Sequence, residues 1–194
     1  MDDGQTMSQK TLSSKKEQVA EVLKTPSSDW YNLTVNFRNT RQIHDAFHPL
    51  RSTETGESTV PPPKQGDKPK YYVLEPEYQM DHIEAICSKK PGSTWNIGII
   101  TSTKSEQGQI FDRLNRMFPN KVQRCDSNTD PINYRDFSIF VLNSSNVKGL
   151  EFHEVILAGV DESWRERNQL YVSATRASER LHVYLKHDGV IGAL

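Results

Sequence analysis

The chain has 194 residues, 35% of them hydrophobic, and its 25 Asp and Glu nearly cancel its 24 Lys and Arg. That length supports one good core with an appendage, and the near-neutral charge excludes coating of nucleic acid by bulk charge, so any such binding must be local. No stretch approaches the roughly 20 apolar residues of a membrane span and no signal-peptide pattern opens the chain, which makes a cytoplasmic protein without a membrane partner the expectation.

Residues 1–28 are polar and rich in Ser, Lys and Gln, with one short helical pattern from Ser14 to Lys24, and read as a flexible arm. Leu33-Thr34-Val35 is a β-favouring run closed by Asn36-Phe37-Arg38-Asn39-Thr40. Arg41 to Phe47 then reads as a short helix stopped by Pro49. Residues 50–70 collect Ser, Thr, Gly and three consecutive prolines, and predict a surface loop of polyproline character, either a connection or a docking site. Regular alternation follows: a strand at Tyr71–Leu74, a helix at Tyr78–Lys89, a central strand at Trp95–Thr101 and a helix at Ser105–Phe118 whose apolar residues recur at helical spacing. A short strand at Lys121–Gln123, a loop at Asp126–Tyr134 and a strand at Ser138–Leu142 come next. The polar turn Asn143-Ser144-Ser145-Asn146 leads to the apolar run Val155–Ala158, a helix over Gln169–Ala177 and a last strand at Leu181–Leu185. Strand, turn, strand, helix, strand is the grammar of an α/β domain with a mainly parallel sheet, expected over residues 29–194. Cys87 and Cys125 fit reduced core thiols, and the six scattered histidines form no HExxH-like pair, so no metal is expected on this chain.

Lys148-Gly149-Leu150-Glu151-Phe152 before an apolar strand, followed by Leu170-Tyr171-Val172-x-x-Thr175-Arg176-Ala177, resembles helicase motifs V and VI. The pair is characteristic of the UvrD/Rep/PcrA branch of superfamily 1 helicases. Asn36-Phe37-Arg38-Asn39-Thr40 resembles motif IV of the same family, usually Asn-Tyr-Arg-Ser-Thr; without its companions it would read as an ordinary strand-to-helix turn with an exposed arginine. Met1-Asp2-Asp3-Gly4-Gln5-Thr6-Met7 is similar to motif III, with Met1 in place of a glycine, and implies that the chain begins inside a larger protein. The fold the resemblance implies is RecA-like, the second of the two core domains of a DNA helicase.

The resemblance also implies roles. A nucleotide motor must neutralise charge developing on the γ-phosphate, which the planar, permanently charged guanidinium does well. Arg38 and Arg176 are the implied γ-phosphate contacts, Arg176 as arginine finger; a structural ion pair of Arg176 with Glu179 or Asp161 is the alternative. Both arginines are expected near the carboxyl ends of strands, where open sheets gather ligands. Glu151 is implied to bond the ribose, Phe37 to stack on the base in place of a tyrosine, and Gln5 to couple the γ-phosphate to the nucleic-acid track. Ser145, Lys148 and Gly149, with Thr175, form the implied coupling and nucleic-acid turn, in which Gly149 is expected to allow a close backbone approach. Asn143-Ser144-Ser145 departs from the family's Thr-x-His, which removes a strand contact.

The chain has no G-x-x-x-x-G-K-[ST] and no apolar strand ending in Asp-Glu, so nothing in it cradles a triphosphate or holds magnesium. ATP and Mg2+ are therefore cofactors expected of a full-length protein, with none held by this chain alone, which should be inactive in isolation. The expected partners are an N-terminal RecA-like domain of the same protein and single-stranded DNA. About 110 residues separate Arg38 from Lys148, too few for the large insertion of UvrD, Rep and PcrA. That compactness, with Pro63-Lys64-Gln65-Gly66-Asp67-Lys68-Pro69, resembles the helicase IV-like HelD proteins and adds RNA polymerase as an expected partner. The alternative is a degenerate RecA-like module that only binds protein.

Overall fold

The runs Ile97–Thr101 and Ile139–Asn143 are buried at every position, which marks strands covered on both faces. In the computed structural model, which describes residues 38–51, 60–89, 92, 94–127, 131–161, 164 and 167–188, these runs form the centre of a six-stranded sheet. The elements are α1 (Arg41–Phe47), β1 (Lys70–Val73), α2 (Pro76–Ser88), β2 (Ile97–Thr101), α3 (Lys104–Met117), β3 (Val122–Cys125), β4 (Ile139–Asn143), β5 (Phe152–Val160), α4 (Arg167–Ala174) and β6 (Ala177–Leu185). The sheet order is β1-β6-β5-β2-β4-β3, and each of its five pairings is parallel. The expected α/β RecA-like fold with a mainly parallel sheet is thus what the described residues form. Gln5, Phe37, the arm at 1–28 and the Leu33–Val35 run lie outside them.

Alternation along the strands sends side chains to two cores. Ile100, Phe140, Leu142, Val155, Leu157 and Val183 pack with Ile43 and Phe47 of α1 and with Leu170 and Val172 of α4. Ile97, Ile99, Val141 and Ile156 pack on the other face with Ile83 of α2 and with Ile110 and Leu114 of α3. Both cysteines are buried, one in each core. Gly98 faces Phe152, whose ring would lie 2.4 Å from an added Cβ, so only glycine lets that ring lie against β2.

Local chemistry sets the helix starts. Thr40 caps α1 by accepting from the Ile43 N–H, Pro76 occupies the first turn of α2 where its missing N–H costs nothing, and Thr103 caps α3 while also bonding Glu106. The second half of the proline-rich segment is docked rather than loose. Lys64 O accepts from Arg41 N at 2.7 Å, and Gly66 N donates to Gln42 at 2.8 Å.

Two elements exceed their sequence-based expectation. β5 begins at Phe152 and β6 at Ala177, each well before its apolar run. Polar residues in those extensions are buried in pairs: His182 Nε2 lies 2.7 Å from Glu154 Oε1, and Trp95 Nε1 donates to Glu154 at 2.9 Å. Because β6 takes residue 177 onward, α4 ends at Ala174 and Arg176 sits in a turn, not on a helix.

Candidate nucleotide-facing edge

Phe152 opens β5, Ala177 opens β6, and the two are paired in register. The residues just before them, Glu151 and Arg176, are therefore neighbours at the amino edge of the sheet. This corrects the expectation that the site gathers at carboxyl ends: the functional motifs precede their strands, so they emerge at the opposite edge. Arg38, just ahead of the α1 cap, reaches the same place, with its Nε 3.1 Å from Glu151 Oε2. Both side chains are substantially exposed, at 35% and 54%, so the pair is open to a ligand.

Arg176 is different, because it is fully buried. Its Nε donates to Val172 O at 2.9 Å, one terminal nitrogen to Leu150 O at 3.3 Å and the other to Thr175 Oγ1 at 3.3 Å. The carboxylates weighed as its structural partners pair elsewhere, Glu179 with Lys64 and Asp161 with Lys186. Arg176 thus ties the α4–β6 turn to the backbone immediately before Glu151. Thr175 is buried beside it and donates to Val172 O.

The remaining predicted residues spread along the eight-residue connection from β4 to β5. Ser145 lies at the carboxyl end of β4 in a short 3-10 turn, where its N–H and hydroxyl both bond Asn143 Oδ1. Lys148 is exposed. Gly149 has φ +83, and an added Cβ would meet nothing within 4 Å among the described residues. Its glycine serves the left-handed backbone and not the close approach expected of it.

Sequence reasoning missed what surrounds Glu151. A recess of about 350 Å³ is lined by Asn96, Tyr134, Glu151, Phe152, His153 and Ser178. Tyr134, stacked against Phe140, donates its hydroxyl to Glu151 O at 3.4 Å, and burial raises its phenol above the ordinary value. His153 lies flat on Trp95 and 2.7 Å from Asn96 Oδ1. An exposed aromatic in a polar loop was the available signal for Tyr134; nothing in the sequence places Asn96 beside His153. A larger cleft of about 1030 Å³ opens between α2 and α3 near the carboxyl ends of β1 and β5, lined by Val73, Tyr78, Ile110, Ala158 and Lys186 among others; none of the predicted site residues lines it. Among the described residues no group of three His, Cys, Asp or Glu is placed to hold a metal ion, and no helix is long and apolar enough to cross a membrane.

Comparison with solved structures agrees with the fold. The chain is similar to the C-terminal domain of a possible DNA helicase from Lactobacillus plantarum WCFS1, at 21% identity over 77% of this chain and 87% of that one, with a TM-score of 0.60. Weaker likenesses are to the C-terminal part of the Fun30 ATPase domain, at 14% identity over 54% and 39% of the two chains and a TM-score of 0.41, and to the Hef helicase domain of Pyrococcus furiosus, at 15% over 59% and 27% and a TM-score of 0.42. No curated protein matches the chain. Residues 138–184, the segment that carries Ser145, Lys148, Glu151 and Arg176, match the model of the UvrD-like helicase C-terminal domain.

Proposed function

We propose that this chain is the second RecA-like core domain of an ATP-dependent DNA helicase or translocase, and that it contributes Arg38, Glu151 and Arg176 to ATP held mainly by a first RecA-like domain. The observation that carries this is convergence: three residues drawn from separate stretches of sequence meet at one sheet edge, with Arg38 on Glu151 and Arg176 directly behind. An exposed guanidinium beside an exposed carboxylate offers a cation for phosphate and an acceptor for ribose hydroxyls. The recess next to Glu151 has room for a ribosyl group and not for a whole triphosphate, in keeping with a half-site. ATP supplies the leaving phosphoryl group when bound. Arg38 orients it and offsets its charge, Glu151 fixes the sugar, and magnesium belongs to the first domain. Arg176 holds the turn until docking of that domain opens it, and then turns toward the same phosphate.

In the full-length protein, Arg38→Ala should lower ATP turnover by roughly 10³-fold, the scale of arginine contacts to a transferring phosphoryl group. An unchanged kcat overturns the proposal. Burial of Arg176 favours a second reading, a protein-interaction module in which that guanidinium is purely structural; ATPase insensitive to both arginines decides for it. The finer resemblance to HelD proteins makes RNA polymerase the partner to look for, beside DNA.

A further inference from the structure

Asn39 follows Arg38 and is fully buried. Its amide nitrogen donates to Thr175 O at 3.0 Å and to Ala177 O at 2.6 Å, the two carbonyls that flank Arg176. A primary amide presents two N–H groups from one atom, which suits two carbonyls two residues apart; a serine hydroxyl, the usual group at this place in the motif that residues 36–40 resemble, has one proton and can serve only one of them. Nothing else in the Arg38–Thr40 segment need change for that second bond to be lost.

We propose that Asn39 is the positioning residue of this edge, fixing Arg38 in register with Glu151 and with the Arg176 turn so that the two arginines approach a nucleotide as one unit. The proposal rests on the nucleotide reading given above. Asn39 does not touch ligand itself, because its amide is enclosed and both donors are committed. The neighbouring backbone has its own anchors. Lys64 O accepts from Arg41 N, Lys64 Nζ donates to Ser178 O at 3.1 Å and pairs with Glu179, and Gly66 lies so close to Thr40 that an added Cβ would fall 2.3 Å from Thr40 Cγ2. Loss of the Asn39 bonds therefore leaves α1 in place and frees mainly the residue before it, Arg38.

The test compares Asn39→Ala, Asn39→Ser, Arg38→Ala and the double variant Asn39→Ala/Arg38→Ala in the full-length protein. Misplacement of a phosphate ligand by about 1 Å can cost up to about 10²-fold in rate, so Asn39→Ala should lower kcat by that order with KM little changed. Asn39→Ser, which keeps one bond, should lose less, and it stands in if Asn39→Ala does not fold. The double variant should be no slower than Arg38→Ala, because the tie acts through Arg38. Wild-type kcat in both Asn39 variants, or losses that multiply in the double variant, overturns the proposal. If Arg38→Ala itself keeps full kcat, the nucleotide reading fails instead, and the Arg38 Nε–Hε resonance of the 194-residue chain decides the tie. A shift toward free arginine in the Asn39 variants supports it, and an unmoved resonance overturns it.

Discussion

Arg38 and Glu151, 113 positions apart, meet at 3.1 Å across the amino edge of the sheet, so each already engages the partner from which a nucleotide must part it. An exposed ion pair of this kind contributes about 0 to 1 kcal/mol, whereas the contacts of buried Arg176 satisfy carbonyls that have no water to turn to. The two arginines should therefore separate under mutation, although both are proposed to meet the same phosphate.

Arg38→Ala should leave the melting temperature of the chain nearly unchanged. Arg176→Ala should lower it, because Val172 O and Leu150 O lose their donor, and a buried group left unsatisfied costs about 1–3 kcal/mol. In the full-length protein Arg176→Ala should also cut kcat by roughly 10³-fold. Thermal denaturation of the chain beside steady-state kinetics of the whole protein separates the two effects. Equal melting temperatures for the two variants would contradict the buried placement.

Acid should loosen the sheet face under α2. Burial lowers the His82 imidazole, and His182 with the nearby lysines lowers it further, while Tyr184 OH lies 2.9 Å from His82 Nδ1. Burial alone would raise the Glu154 carboxyl, but hydrogen bonds from His182 and Trp95 outweigh it and hold it below its ordinary value. A group depressed in the folded state contributes stability above its unfolded pKa and loses it as pH falls through the folded one. His82 stability should thus be lost as pH drops below 6.5, its ordinary value, and that of Glu154 below 4.5. His48, also lowered by burial, acts in the same direction. His82→Gln keeps an acceptor for Tyr184 without titrating, so its melting temperature should fall less steeply between pH 7 and 5.5. A slope equal to wild type would exclude His82 as a contributor.

Gly98→Ala should destabilise the domain by about 1–3 kcal/mol, the usual range for overpacking a core. The added methyl would meet the Phe152 ring at 2.4 Å, and that ring is clamped between β2 and Phe140. Because Phe152 directly follows Glu151, the shift should also move the carboxylate. Gly98→Ala/Phe152→Leu should recover part of the loss in a denaturant titration, and absence of recovery would place the strain elsewhere.

What could be read in advance follows from the range of the forces involved. The apolar runs at Ile97–Thr101 and Ile139–Asn143 and the Ile110/Leu114 spacing are local patterns, and they appear as β2, β4 and α3 within a residue or two. The starts of β5 and β6 were hidden because Glu154, Ser178 and Arg180 break the apolar pattern, their polar groups being satisfied across the fold, as by Trp95 and His182 for Glu154. The same extension turned Arg176 from a helix face into a buried turn. The type of residue at the candidate site was legible from motif order, but its edge of the sheet was not, since that depends on where the strands begin. The Asn39 tie joins residues more than 130 positions apart and leaves no periodic trace.

The last expectation concerns the track. At the β4–β5 connection Asn143 and Ser145 bond each other, and Gln169 donates to Ser144 Oγ at 2.6 Å, so these polar groups are engaged within the fold, and the family's histidine is absent from this turn. Lys148, exposed beside the left-handed Gly149, remains as the cation this turn can offer a phosphate. Removing one phosphate contact lowers the slope of log affinity against log salt by about 1. Lys148→Ala should do that in the full-length protein, from a wild-type slope that is itself shallow, with single-stranded DNA stimulating ATP turnover only weakly. A motor with few track contacts works against another macromolecule, which the HelD resemblance makes RNA polymerase, to be sought by pull-down. A steep wild-type slope, strong stimulation by DNA and no polymerase in the pull-down would instead mark a conventional unwinding helicase.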